Sequence, residues 1–146
     1  MVAGTASLLR YGHITSRNRI GMVYAIATVL TCITGFEIVP HFVLDKAHAL
    51  AVATLVALAA AVAAQQAPLF GRVSLYVSTL AWSATFLFHW IAGVVETSTR
   101  LPRGRPLFAN AEAAPLRGII AVLCLLFVIG VVLQLRRLRR ALNESD

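Results

Sequence analysis

The sequence predicts an all-α fold: a four-helix transmembrane bundle forming one integral membrane domain, with both termini cytoplasmic. Three observations predict it. Hydrophobic residues make up 59 % of the 146 positions and charged residues only 13 %, against roughly 25 % charged in a soluble domain; mean hydropathy is +0.80. The apolar residues fall in four blocks of 18 to 23 residues. The basic residues divide unequally between the two sets of segments that flank those blocks.

The first span is Ile20 to Val39. At about 1.5 Å per residue, each of the four blocks covers roughly 27–35 Å, near the thickness of a bilayer core. Helix follows because backbone N–H and C=O groups in lipid must pair within the segment, and four segments cannot close a barrel. The first block follows 19 residues of mixed sequence, is too long for a leader core and lacks an A-x-A site, so it reads as retained. Residues 1–18 read as a short non-membrane segment, partly amphipathic through Leu8, Leu9, Tyr11 and Ile14 beside Arg10 and His13. Along the first span, Tyr24, Thr28, Thr31 and Gly35 form a weak polar stripe.

The second span is Ala47 to Ala64. Ala49, Ala53, Ala57 and Ala61 recur every fourth residue as a small-residue ridge, which lets helices approach closely. This puts the second span at the centre of packing, with a partner in the same chain, in a second copy (a homo-oligomer) or in a larger membrane complex. The segment QQAPLFGR turns the chain tightly into the third span, Val73 to Val95. There Ser78, Trp82, Thr85, His89, Ala92 and Glu96, spaced four and three apart, form a stripe expected to face the bundle. Glu96 to Arg117 contains Pro102, Gly104, Pro106 and Pro115 and reads as an irregular loop. The fourth span is Gly118 to Leu135, followed by RRLRR and a frayed end from Ala141 to Asp146.

Arg10, Arg17, Arg19, Arg72, Arg136, Arg137, Arg139 and Arg140 fall on one side, and Lys46, Arg100, Arg103, Arg105 and Arg117 on the other. Eight against five sets both termini inside under the positive-inside rule, in the plasma (bacterial inner) membrane. The formal charge of +7 and the RRLRR tail fit anionic lipid head groups rather than nucleic acid, since no aromatic interleaving accompanies them. No Gly-rich phosphate loop, G-x-S-x-G, H-E-x-x-H or C-x-x-C is present, so the sequence leans away from an enzyme. Cys32 and Cys124, each inside a span, read as small buried residues.

Ionisable groups inside a span are functional candidates because burying them is costly. His48 and His89 lie at equal sequence distances from the turn joining the second and third spans, so on antiparallel neighbours they share a depth. Glu37, His41, Asp45 and Glu96 gather toward the same, outer end. If Pro40 opens the second helix, His41, Asp45 and His48 share a face. Three readings stand open. His48 and His89 as axial ligands would hold haem b and make the protein an electron carrier. His41, His48 and His89 with Glu37, Asp45 and Glu96 would hold a metal ion or carry protons. Alternatively, the histidines serve helix packing in a structural or accessory subunit.

The stretch Arg17-Asn18-Arg19-Ile20-Gly21-Met22-Val23-Tyr24, then Thr34-Gly35, then His48 opening an Ala/Leu-rich helix, resembles a family of uncharacterised bacterial four-helix membrane proteins. The resemblance covers about residues 17–95. The family carries a histidine before the first helix, where this chain has Ser16, and a more basic turn than QQAPLFGR. The resemblance implies a fold and a membrane location, not an activity.

Overall fold

The computed structural model describes residues 1–37, 46–66 and 71–144. Among the described residues it has five helices and no strands: α1 (Val2–Tyr11), α2 (Arg19–Glu37), α3 (Lys46–Gln66), α4 (Arg72–Arg100) and α5 (Ala114–Asn143). Helices α2 to α5 are long and apolar enough to cross a membrane and correspond to the four predicted spans. The fifth helix, α1, is too short to span and lies within residues 1–18, read above as a non-membrane segment. Each helix packs on its neighbour in the chain, and α3 against α4 is the most extensive pairing.

Local chemistry sets the helix ends. The Asn18 side-chain carbonyl accepts from the Gly21 N–H at 2.7 Å, capping α2. Pro115 lies in the first turn of α5, where its missing N–H is harmless. Helix α4 runs past the predicted end at Val95 because its polar last turn remains satisfied. The Ser98 and Thr99 hydroxyls donate back to the Val94 and Val95 carbonyls at 2.5 and 2.7 Å, and Glu96 pairs with Arg100 at 2.5 Å. The predicted loop Glu96–Arg117 therefore shortens to 101–113, and it folds back through Phe108 N–H donating to the Ser98 carbonyl at 3.0 Å. Helix α5 begins before Gly118 and carries the arginine stretch to Asn143, so residues 141–143 are helical rather than frayed. The proposed helix opening at Pro40 lies outside the described residues.

The predicted stripes are partly redrawn. On α4, Ser78, Trp82 and Thr85 are buried as expected, joined by Ser74 and Ser98. On α2 the buried line is Tyr24, Thr28 and Cys32, whereas Thr31 and Gly35 are exposed. The Thr31 hydroxyl is already satisfied by the Ala27 carbonyl at 2.8 Å, so it tolerates the outer surface. Helix α3 lies against both α2 and α4. Its buried residues are Thr54, Leu58 and Ala61, while Ala49 at the head of the alanine ridge is exposed. Only 6 % of the apolar window of α5 is buried, against 28 % for α4, so α4 is the central helix and α5 a peripheral one. Both cysteines are free.

Residues 1–18 are not a detached segment. Helix α1 packs on α2 and reaches both α4, with Met1 over Gly93, and α5, with Gly12 near Arg137. Small residues make this docking possible. A Cβ at Gly4 would come within 2.9 Å of Phe86 and 3.0 Å of the Tyr24 ring. Gly12 ends the helix in the left-handed region, φ 71°, its N–H donating to the Leu8 carbonyl at 2.9 Å. The chain then turns so that Ile14 enters the core beside Tyr24, Leu58, Ala61 and Trp82.

Gln65 clasps this turn. Its side-chain oxygen accepts from the Ser16 hydroxyl at 2.7 Å and the Ser16 N–H at 3.2 Å, and its amide donates to the Thr15 hydroxyl at 3.0 Å. Arg17 donates to the Gln65 carbonyl at 3.0 Å. The Thr15 carbonyl occupies the space where a Cβ at Gly21 would sit. Gly21→Ala should therefore lower stability by about 1–3 kcal/mol, the usual range for overpacking, read as the midpoint of thermal unfolding in detergent. An unchanged midpoint would show that the 13–18 turn does not seat on α2.

Candidate functional site

The interior polar groups converge where α2 meets α4. Trp82, Thr85 and His89 share one face of α4 by their i, i+3, i+7 spacing. The Tyr24 hydroxyl donates to the Thr85 hydroxyl oxygen at 3.1 Å, and the Thr85 hydroxyl donates to the Trp82 carbonyl at 2.8 Å. His89 Nδ1 lies 2.9 Å from the Thr85 carbonyl. A carbonyl can only accept, so Nδ1 carries the proton and Nε2 the lone pair. The His89 and Tyr24 ring centroids lie 5.8 Å apart, those of Tyr24 and Trp82 6.1 Å. Tyr24, Trp82 and Thr85 are fully buried. The Trp82 indole N–H has no acceptor among the described residues.

His48 occupies a different setting. It is half-buried in the first turn of α3, its ring stacked on Phe36 at 5.5 Å and 29°. Tyr24 and Phe36 are twelve residues apart on α2, about 18 Å along a helix axis, so the two imidazoles rest on different turns of α2. Glu96 is exposed and paired with Arg100 at the end of α4. Glu37 is the last residue of α2. His41 and Asp45 lie outside the described residues. Among the described residues, no three His, Cys, Asp or Glu side chains form a group able to hold a metal ion.

Two features were not singled out from sequence. At one end of the bundle, Glu112 of the 101–113 loop pairs with Lys46 of α3 and, at 2.5 Å, with Arg117 of α5. At the other end lies a cavity of about 570 Å³ between the 11–17 turn, the end of α3, the start of α4 and the end of α5. His13, Arg17 and Arg137 line it together with Gln65, Ser78 and Gln134. Gln134 also lines an apolar groove of about 410 Å³ between α1, α4 and α5, and its side-chain oxygen accepts from the Ser83 hydroxyl at 2.9 Å. The available signal was glutamine at the end of two apolar spans, Gln65 and Gln66 after the second and Gln134 in the fourth. Such a residue is either lipid-facing and costly or, as here, engaged by a neighbouring segment.

No protein-family model, curated protein or solved structure matches the chain.

The hydrogen bond from Lys46, then that from Arg117, holds the Glu112 carboxyl below the usual carboxylate range. A group whose folded pKa is depressed stabilises the fold above its ordinary value, about 4.3 for glutamate, and loses that contribution as the pH falls through the folded value. Acidification should thus release the 101–113 loop from α3, raising amide hydrogen exchange around Ala113. Glu112→Gln should show the faster exchange at neutral pH and no further acid step. The effect should be small and salt-sensitive because all three groups are solvated.

Proposed function

We propose that this protein is a structural or accessory subunit of the plasma membrane, with no chemistry of its own and with the Tyr24–Thr85 bond and the packing of His89 on Tyr24 used to join helices. One observation carries the reading. The Tyr24 hydroxyl of α2 donates to the Thr85 hydroxyl of α4 and the His89 ring lies against Tyr24, while the Thr85 hydroxyl and the His89 imidazole are satisfied by the Trp82 and Thr85 carbonyls of α4 itself. Polar groups so placed act as glue between helices in lipid. The lightly buried α5 and the alanine-rich α3 leave small and apolar surface for a second copy or a larger membrane partner. The division of eight arginines against five basic residues favours a cytoplasmic location for the end holding Arg17 and Arg137, and for the C-terminus.

A second reading is supported by His89 itself. An imidazole whose Nδ1–H is fixed on a carbonyl presents Nε2 as a ligand, the arrangement that metal-binding histidines use. His89 could then ligate haem b or a metal ion. A partner role for His48 is harder to build. Both imidazoles would need nitrogen–metal bonds of about 2 Å, while their aromatic neighbours on α2 are twelve residues apart.

Purification in mild detergent, with haem supplied during expression, separates these readings. The accessory reading expects a folded, colourless protein without stoichiometric metal, a co-purifying membrane protein or second copy, and a lower unfolding temperature in His89→Ala. A sharp reduced α-band that vanishes in both His48→Ala and His89→Ala would replace it with the haem reading. Proton or metal flux in liposomes, altered by Glu96→Gln, would replace it with the carrier reading.

A further inference from the structure

We propose that the protein holds one anionic phospholipid, its head group in the cavity at the Arg17–Arg137 end and a tail in the adjoining apolar groove. The cavity brings two guanidinium groups from opposite ends of the chain to one space, with His13 beside them. No acidic residue lines it, and neither Arg17 nor Arg137 has an ion pair among the described residues. Arginine presents five N–H donors in a planar fork suited to phosphate oxygens. The bond from Arg17 to the Gln65 carbonyl orients that guanidinium. Thr15 and Ser78 add polar side chains to the lining.

The groove supplies the other half. Leu8, Phe86, Trp90, Leu123, Phe127 and Val131 line it, and it meets the cavity at Gln134. The bond from Ser83 fixes Gln134 at the junction. From Arg137 to Leu123 is fourteen residues of α5, about 21 Å, which exceeds the roughly 15 Å hydrocarbon depth of one leaflet. The occupant therefore needs a negatively charged head and an apolar tail of leaflet length. A soluble phosphate would meet the arginines and leave the groove unused. A zwitterionic lipid would fill the groove and leave the two charges without a net counter-charge. Basic pockets between membrane helices suit anionic head groups for this reason.

The test is a titration of the detergent-purified full chain with phosphatidylglycerol, phosphatidylcholine or inorganic phosphate, followed by thermal unfolding and by retained lipid in native mass spectrometry. Arg17→Gln/Arg137→Gln should weaken phosphatidylglycerol binding by at least about tenfold. Arg139→Gln/Arg140→Gln, which removes equal charge outside the cavity, should leave it unchanged. Gly130→Leu should abolish lipid retention, because Gly130 lines the groove and its missing Cβ faces open space, so the variant folds. If the double cavity variant unfolds, Arg137→Gln alone and Gly130→Leu decide. Equal binding of phosphatidylcholine, an equal shift with inorganic phosphate, equal loss in Arg139→Gln/Arg140→Gln, or full retention in Gly130→Leu would each overturn the proposal.

Discussion

The bond between Tyr24 and Thr85 is the contact on which the rest of this bundle depends. In hydrocarbon a polar side chain has no water to turn to, so it must be satisfied by the protein itself. Tyr24 finds its acceptor on α4, although α2 packs mainly on its chain neighbours α1 and α3. The bond thus ties together two helices that are not adjacent in the chain. It also fixes the Tyr24 ring as a platform: Trp82 and His89 lie against it, and α1 seats on it through Gly4. The one buried side-chain donor among the described residues without an acceptor, the Trp82 indole, belongs to this same cluster.

Much of this was legible in the sequence, for a physical reason. Lipid imposes a length and an apolar composition on each span, so four blocks could be read off and each returned as a helix. The α4 stripe was legible for a similar reason, since a run of Ser, Trp, Thr and His at helical spacing has no stable place facing lipid. Helix α1 was not legible. At ten residues it is too short to span, and its inward face is Gly4 and Ser7, where small size rather than hydrophobicity makes the contact. The ends of α4 and α5 extend beyond the apolar blocks because polar residues there remain helical. In the structure Ser98 and Thr99 satisfy themselves on their own helix, and the arginine stretch simply continues α5. Of the candidate site, the burial of His89's neighbours could be inferred, whereas its bond to the Thr85 carbonyl and the stacking of His48 on Phe36 are matters of rotamer that spacing does not encode.

The two ends of the bundle are built differently. At one end an exposed carboxylate, Glu112, bridges two cations and holds a loop to two helices. At the other end the cations Arg17 and Arg137 converge without a carboxylate among the residues that line their cavity. The first arrangement closes a surface; the second leaves charge available to a ligand. Gln65 connects this end to the core, because by holding Thr15 and Ser16 it places both Arg17 and the buried Ile14.

A double-mutant cycle between Tyr24→Phe and Thr85→Val, read as unfolding free energy in detergent or bicelles, tests the central claim most directly. The account predicts that the two substitutions are coupled by about 0.5–1.5 kcal/mol, the scale of interhelical hydrogen bonds in membranes. Strict additivity would show that α2 and α4 are not joined through this pair and would contradict the account.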